Sequence, residues 1–353
     1  MESEDFRIFI GFAGIQKNQR LILLKCFRNG PRAADRYANP VHNMLQIQTG
    51  QKIGQYQVES FLGRGAFAQV FLATDPKGRR VALKMGDDSG GGRFLPRFGE
   101  VTVTRDPRAL SPDETPAEAM FLDPVEGARS EALNAKEVDD LLIQEAEMLR
   151  LADGNSVPRL HEIFYVEERP VLVMDYIPGT TLRERIRSME GVKLGWILEA
   201  AQIVQRNCES GWTCHGDIKP ENIIITEQEE VILIDPVAKA CREDSIVTTP
   251  WYNPFLRWDT KGDAQSFAII LYELMIGAVP FDQVPWSMAG TCASAHSEEE
   301  REMSLSLYLA YPPMRELNVL TPRYVEQMFH RAMCDSSYGL DELVSDLEEF
   351  LLG

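Results

Sequence analysis

The 353 residues include only five histidines, and the six cysteines (Cys26, Cys208, Cys214, Cys241, Cys292, Cys334) are scattered, with no C-x-x-C pair and no histidines flanking at zinc spacing. That pattern argues against a structural zinc site or a disulfide framework, and the thiols read as reduced and cytosolic. Positive charge is also in deficit: 36 Lys and Arg against 54 Asp and Glu give a formal net charge of −18. A surface of that sign repels phosphate backbones and anionic headgroups, so neither nucleic acid nor a membrane surface is expected as the main partner. Long apolar runs are missing as well, since the stretch from Phe267 to Phe281 contains Glu273 and is too short to span a bilayer. The start, Met1-Glu2-Ser3-Glu4-Asp5, is acidic where a signal peptide is basic. The chain therefore reads as soluble and cytoplasmic, and any phosphate site in it must be local.

What is present is ordinary for a globular protein: 44% hydrophobic and 25% charged residues, in a chain long enough for two or three domains. The most informative stretch is His215-Gly216-Asp217-Ile218-Lys219-Pro220-Glu221-Asn222, followed by the apolar Ile223-Ile224-Ile225 and then Val231-Ile232-Leu233-Ile234-Asp235. A turn carrying Asp, Lys and Asn leads into a strand, and a hairpin returns a second Asp to the same end. Asp217 can then face an incoming hydroxyl while Asn222 and Asp235 hold Mg²⁺ against nucleotide phosphates. The plainer alternative makes Asp217 and Asn222 turn formers and Asp235 a strand-end cap; Lys219 and the hairpin together argue against it.

With Gly216 where most members carry Arg, this stretch resembles the catalytic loop of eukaryotic-like Ser/Thr protein kinases. A second resemblance lies upstream: strand Tyr56–Leu62, the turn Gly63-Arg64-Gly65-Ala66-Phe67-Ala68, strand Gln69–Ala73 and strand Val81-Ala82-Leu83-Lys84 are similar to the family's glycine-rich loop and its phosphate-pairing lysine. Gly63 and Gly65 let backbone N–H groups approach phosphate oxygens, and Ala68 replaces the third glycine. A helix is expected over Ala135–Ala152, its apolar stripe interrupted by Glu145. The resemblance makes Glu145 the partner of Lys84, with Glu147 the rival by position. It also implies an ATP pocket lined by Val70, Ala82 and Met174, with Asp175, Tyr176 and Ile177 offering backbone groups to the base. Lys219 would neutralise the transferring phosphate, and Asp263 would cap the backbone of the catalytic loop.

The departures from the family pattern are specific. Asp235-Pro236-Val237 stands where Asp-Phe-Gly is usual, which suggests a segment held in one conformation. Thr248-Thr249-Pro250-Trp251-Tyr252-Asn253-Pro254-Phe255 resembles the end of the activation segment but lacks its closing Glu, and Cys334–Gly339 lacks the Arg that normally pairs with it. Thr249 is expected to reach Asp217 and Lys219 through its hydroxyl.

The expected fold is α+β and two-lobed: a small β-rich N-lobe with one helix over residues 51–176 and a larger helical C-lobe over 177–353. A basic extension, residues 1–50, precedes it with seven basic against four acidic residues, and its docking on the acidic body is one expectation. Residues 86–140 form a long insertion, partly without fixed structure, with thirteen acidic against six basic residues; a regulatory partner there is a further expectation. The preferred function is ATP- and Mg²⁺-dependent phosphorylation of Ser or Thr on a protein substrate. Two alternatives are weighed: a small-molecule phosphotransferase of the aminoglycoside or fructosamine kinase type, and a nucleotide-binding pseudokinase scaffold.

Overall fold

The computed structural model describes residues 7–8, 47–65, 67–87, 95–96, 133–188, 191–237, 245–249, 251–253, 255, 257–280 and 313–352. Ala66 and most of the insertion and of the N-terminal extension lie outside the described residues.

One antiparallel sheet has the strand order β2-β3-β4-β5-β8-β7, built from β2 (Lys52–Ile53), β3 (Tyr56–Arg64), β4 (Ala68–Thr74), β5 (Arg80–Gly86), β7 (Leu160–Val166) and β8 (Arg169–Asp175). Side chains alternate across a strand, so each strand feeds two faces. Val81 and Leu83 of β5 join Val171 and Val173 of β8 in one buried layer with Tyr56, Val58 and Phe71. Ala82, Leu172 and Met174 belong to the opposite layer, with Phe67 and the apolar side of a helix. Lys84 is two residues beyond Ala82 and falls on that second face, paired in register with Val70 on one side and Leu172 on the other.

The helix is α1 (Ala135–Leu151). It starts at a capping box in which the Asn134 side chain accepts from Glu137 N–H and Glu137 reaches back to Asn134 N–H. Val138, Leu141, Leu142, Ala146 and Leu149 are buried against the sheet. Glu145 lies on the same buried side, whereas Glu147 is exposed. Helix geometry thus carries a carboxylate toward the face that holds Lys84.

The rest is mainly helical: α2 (Leu182–Ser188), α3 (Leu194–Glu209), α4 (Thr260–Ile276), α5 (Met314–Leu317), α6 (Arg323–Cys334) and α7 (Leu340–Leu352). α4 is buried on nearly every side, capped by the Asp259 side chain on Gly262 N–H and stopped by Gly277 in the left-handed conformation at φ 84°. α3, α4, α6 and α7 share one core, in which Tyr272 and Phe329 meet at 4.8 Å between ring centres. Between α3 and α4 the hairpin β11 (Ile223–Ile225) and β12 (Val231–Leu233) pairs with β9 (Thr180–Thr181).

Two pairs of two-residue strands tie peripheral segments to this body. β1 (Arg7–Ile8) runs antiparallel to β10 (Val192–Lys193), and β6 (Leu95–Pro96) runs antiparallel to β13 (Ser245–Ile246). Among the described residues no helix is long and apolar enough to cross a membrane.

Candidate active site

The β11–β12 register places Ile223 opposite Leu233, so the residues just outside the hairpin, Asn222 and Ile234, face each other, and Ile234 N–H donates to Asn222 O at 3.0 Å. Asp235 follows, with the left-handed backbone angle φ 56° that costs a non-glycine residue about 1 kcal/mol. Its Oδ1 accepts from Lys84 Nζ at 2.8 Å, and the same ammonium donates to Glu145 at 2.7 Å. Lys84 thereby joins β5, α1 and the hairpin. Burial opposes the charge on Lys84, but Asp235 and then Glu145 outweigh it and raise its pKa. One ammonium serves two carboxylates, and they divide unequally. Burial lifts Glu145 to about 7 against the pull of Lys84, while for Asp235, only half-buried, the desolvation that would raise it is outweighed by Lys84, which holds it below its usual value.

The loop before the hairpin is held from beneath. Asp263, in the first turn of α4, accepts His215 N–H at 2.7 Å and Gly216 N–H at 2.9 Å. Burial lifts its carboxyl to about 7 despite these two donors. His215 is fully enclosed: Nε2 faces Ile234 O at 3.1 Å and Nδ1 faces Asp217 N at 3.4 Å. A neutral ring with its proton on Nε2 satisfies both contacts, and burial pushes its pKa down to about 4.

Asp217 is oriented by several donors. Lys219 Nζ lies 2.6 Å from Oδ2, and Asn222 Nδ2 donates to the Asp217 carbonyl at 2.9 Å. Its Oδ1 accepts from Thr249 N–H at 2.7 Å, with the Thr248 hydroxyl at 3.4 Å. The expectation for Thr249 needs adjustment here, since its hydroxyl contacts Lys219 at 2.9 Å and its backbone N–H contacts Asp217. Thr248 donates to Gly216 O at 2.9 Å.

Two further groupings were not expected from sequence. Arg183 of α2 binds Glu221 at 2.7 Å, Glu273 of α4 at 2.5 Å and the Tyr252 hydroxyl, which itself donates to Glu273 at 2.6 Å. This knot fixes the catalytic loop, the end of the activation segment and α4 to one another. Where the family's closing Glu and its Arg are missing, Trp251, Phe255 and Cys334 pack against the helical core, and Lys261 Nζ holds Asp335 O at 2.8 Å. Arg183 carried no visible signal beyond its place on a short helix.

The remaining sequence-predicted residues are placed as follows. Gly63 and Arg64 end β3, Gly65 N–H donates to Ala68 O at 2.8 Å, and Phe67 is buried with its ring centre 5.7 Å from Lys84 Nζ. Ala66 lies outside the described residues. Val70, Ala82 and Met174 lie on the Lys84 face. Asp175 N–H is engaged with Arg159 O, and its carboxylate with His161 at 2.8 Å, so that side chain turns away from the cleft toward β7. The Asp175 N–H, one of the backbone groups expected to serve a base, is thus already taken by Arg159 O.

The donor set fits Mg²⁺. That ion takes one or two carboxylates plus phosphate oxygens and water, and no cage of three or more His, Cys, Asp or Glu exists among the described residues. Asn222 is anchored through its nitrogen, which leaves its amide oxygen as the hard donor, and Asp235 has Oδ2 beyond the oxygen that meets Lys84.

Comparison with known proteins agrees with this architecture. The protein kinase domain family matches residues 128–332, more than half of the chain. The chain belongs to the protein kinase family. It is similar to a probable serine/threonine-protein kinase of Clostridium acetobutylicum, 27% identical over 57% of this chain and 33% of that one. The probable serine/threonine-protein kinase PknB of Bifidobacterium longum is 28% identical over 65% of this chain and 31% of that one. CBL-interacting protein kinase 4 of Oryza sativa is 24% identical over 74% of this chain and 52% of its own length. The chain thus spans between about a third and a half of these curated relatives. The solved structure described as PpkA-294 apo form superposes with a TM-score of 0.57 at 17% identity, covering 85% of this chain and 99% of that one, which shows a shared fold.

Proposed function

We propose that the chain transfers the γ-phosphoryl group of ATP to Ser or Thr hydroxyls of a protein substrate. The observation that carries this reading is the convergence of Lys84, Glu145 and Asp235 on one side of the cleft, with Asp217, Lys219 and Asn222 joined to it through Asn222 and Ile234. Glu145 sets the height of the Lys84 ammonium, which is placed to meet phosphate oxygens. Asp217 accepts the hydroxyl proton, and Lys219, bridging Asp217 and Thr249, offsets negative charge beside the attacking oxygen. Asn222 and Asp235 are the oxygen donors for Mg²⁺, which when bound neutralises phosphate charge.

The activation-segment residues favour a protein acceptor over a small molecule. Thr249 is held between Asp217 and Lys219, and Tyr252 by Arg183 and Glu273; an ordered segment beside Asp217 supports the reading of a polypeptide acceptor. None of the departures from the family pattern removes a group with a chemical task, which argues against the scaffold reading. The test is incubation of purified protein with γ-labelled ATP and Mg²⁺, a protein panel and a small-molecule panel, followed by identification of the labelled amino acid. Label on Ser or Thr supports the proposal; label only on small molecules, or nucleotide binding with no transfer, sinks it.

A further inference from the structure

We infer that Asp87 is a positioning residue that clasps the glycine loop to the strand carrying Lys84, a role that builds on reading Gly63–Val70 as the phosphate-binding loop. β5 ends at Gly86, and the next side chain turns back over the β3–β4 hairpin, where it is only 3% exposed. Asp87 Oδ2 accepts from Arg64 Nε at 2.7 Å and from Gln69 Nε2 at 2.8 Å. Arg64 and Gln69 are partners across the hairpin, so one carboxylate grips both strands at the base of the tip. The backbone of the same residue grips the tip itself, because Asp87 N–H donates to Phe67 O at 2.8 Å.

The physical need for such a clasp follows from the loop's composition. A two-stranded tip rich in glycine and alanine has few side chains with which to hold itself, and such segments open locally at low cost. A buried carboxylate left unpaired would be strongly unfavourable, so Arg64 and Asp87 each need the other's geometry. Three bonds from one residue fix the loop's height above β5, and with it the distance from the loop's N–H groups to the Lys84 ammonium. Arg64 was expected as part of the glycine-rich turn; its side chain serves the clasp.

The test uses Asp87→Ala, Arg64→Ala and Arg64→Lys in the full chain, with amide hydrogen exchange of residues 63–70 measured without nucleotide, and then KM for ATP and kcat. Asp87→Ala and Arg64→Ala should speed exchange in 63–70 by roughly tenfold, as expected for loss of a charge-assisted bond, while exchange in α4 stays unchanged. KM for ATP should rise more than kcat falls, and Arg64→Lys should recover most of the loss. Unchanged exchange in 63–70 in both alanine variants, or exchange raised equally in α4, would overturn the inference. Wild-type protein that binds no ATP would instead sink the kinase reading, and the exchange data would still decide the clasp.

Discussion

The indole of Trp258 lies over Gly216: a Cβ built on Gly216 would sit 3.3 Å from Trp258 Cδ1 and 3.2 Å from Val237 O. Trp258 Nε1 donates to that Val237 carbonyl at 3.2 Å, and Val237 N–H donates to His215 O at 2.8 Å. Trp258 therefore fills the space above position 216 and ties down the residue after Asp235-Pro236. Gly216 has φ 82°, which disfavours any side chain there irrespective of space. Gly216→Ala should cost about 1–2 kcal/mol of stability, seen as a lowered denaturation midpoint. Gly216→Arg should cost at least as much without conferring a requirement for activation-segment phosphate. A Gly216→Arg protein as stable as the parent would refute the packing argument.

Control at the activation segment follows from the same geometry. Thr248 donates to Gly216 O, and no arginine at 216 is there to receive a phosphate on it. Phosphatase-treated and autophosphorylated protein, checked by mass spectrometry, should turn over one substrate at similar rates. A large loss on dephosphorylation of Thr248, restored by rephosphorylation, would contradict this.

Thr249 behaves differently because Lys219 and Asp217 both hold it, at 2.9 and 2.7 Å. Thr249→Glu places a carboxylate against Lys219, drawing that ammonium away from Asp217, and should reduce kcat by more than about tenfold. Thr249→Ser keeps both contacts and should stay near the parent rate. Equal rates for the two variants would remove Thr249 from the site.

The enclosed His215 predicts a pH dependence of stability. Its folded pKa, about 4, is below its ordinary 6.5, so the unfolded chain binds the extra proton between those values. Stability from this group is complete above pH 6.5 and declines as pH falls toward 4, by about 3 kcal/mol in all. Glu145 and Asp263, both raised to about 7, act with the opposite slope, so the comparison must be made against His215→Asn. That variant should be less stable at pH 7 and lose less between pH 6.5 and 4.5; an unchanged slope would place the pH response elsewhere.

Docking of the basic extension is tested by a chain beginning at Gln51. It loses β1, which pairs with Val192–Lys193, and should differ in thermal midpoint or kinetics, the difference shrinking in high salt. Identical behaviour would make residues 1–50 a plain linker.

Much of the site was readable because it obeys simple periods. The two-residue alternation of β5 assigns Lys84 to the Ala82 face, and a lone carboxylate within the apolar stripe of α1 separates Glu145 from Glu147. The hairpin brings Asp235 back to Asn222 by register. What escaped reading depends on contacts remote in sequence. Asp87 looked like the first acid of an acidic run, since nothing local tells that Arg64 and Gln69 lie across from it. Arg183, Glu221, Tyr252 and Glu273 come from four separate elements. The exchange of roles between the Thr249 hydroxyl and N–H is a matter of one turn's rotation, which residue types do not encode.

The most direct test of the account compares Asp217→Asn with the parent chain, measuring single-turnover phosphoryl transfer from γ-labelled ATP and equilibrium nucleotide affinity on the same preparations. Asparagine keeps the shape and, through its single amide oxygen, one of the two contacts to Lys219 and Thr249 N–H, but it cannot take the hydroxyl proton, so transfer should fall by at least about a hundredfold while affinity stays within a few-fold. Transfer at the parent rate by the variant would contradict the assignment of Asp217 as the base, and with it the proposed mechanism.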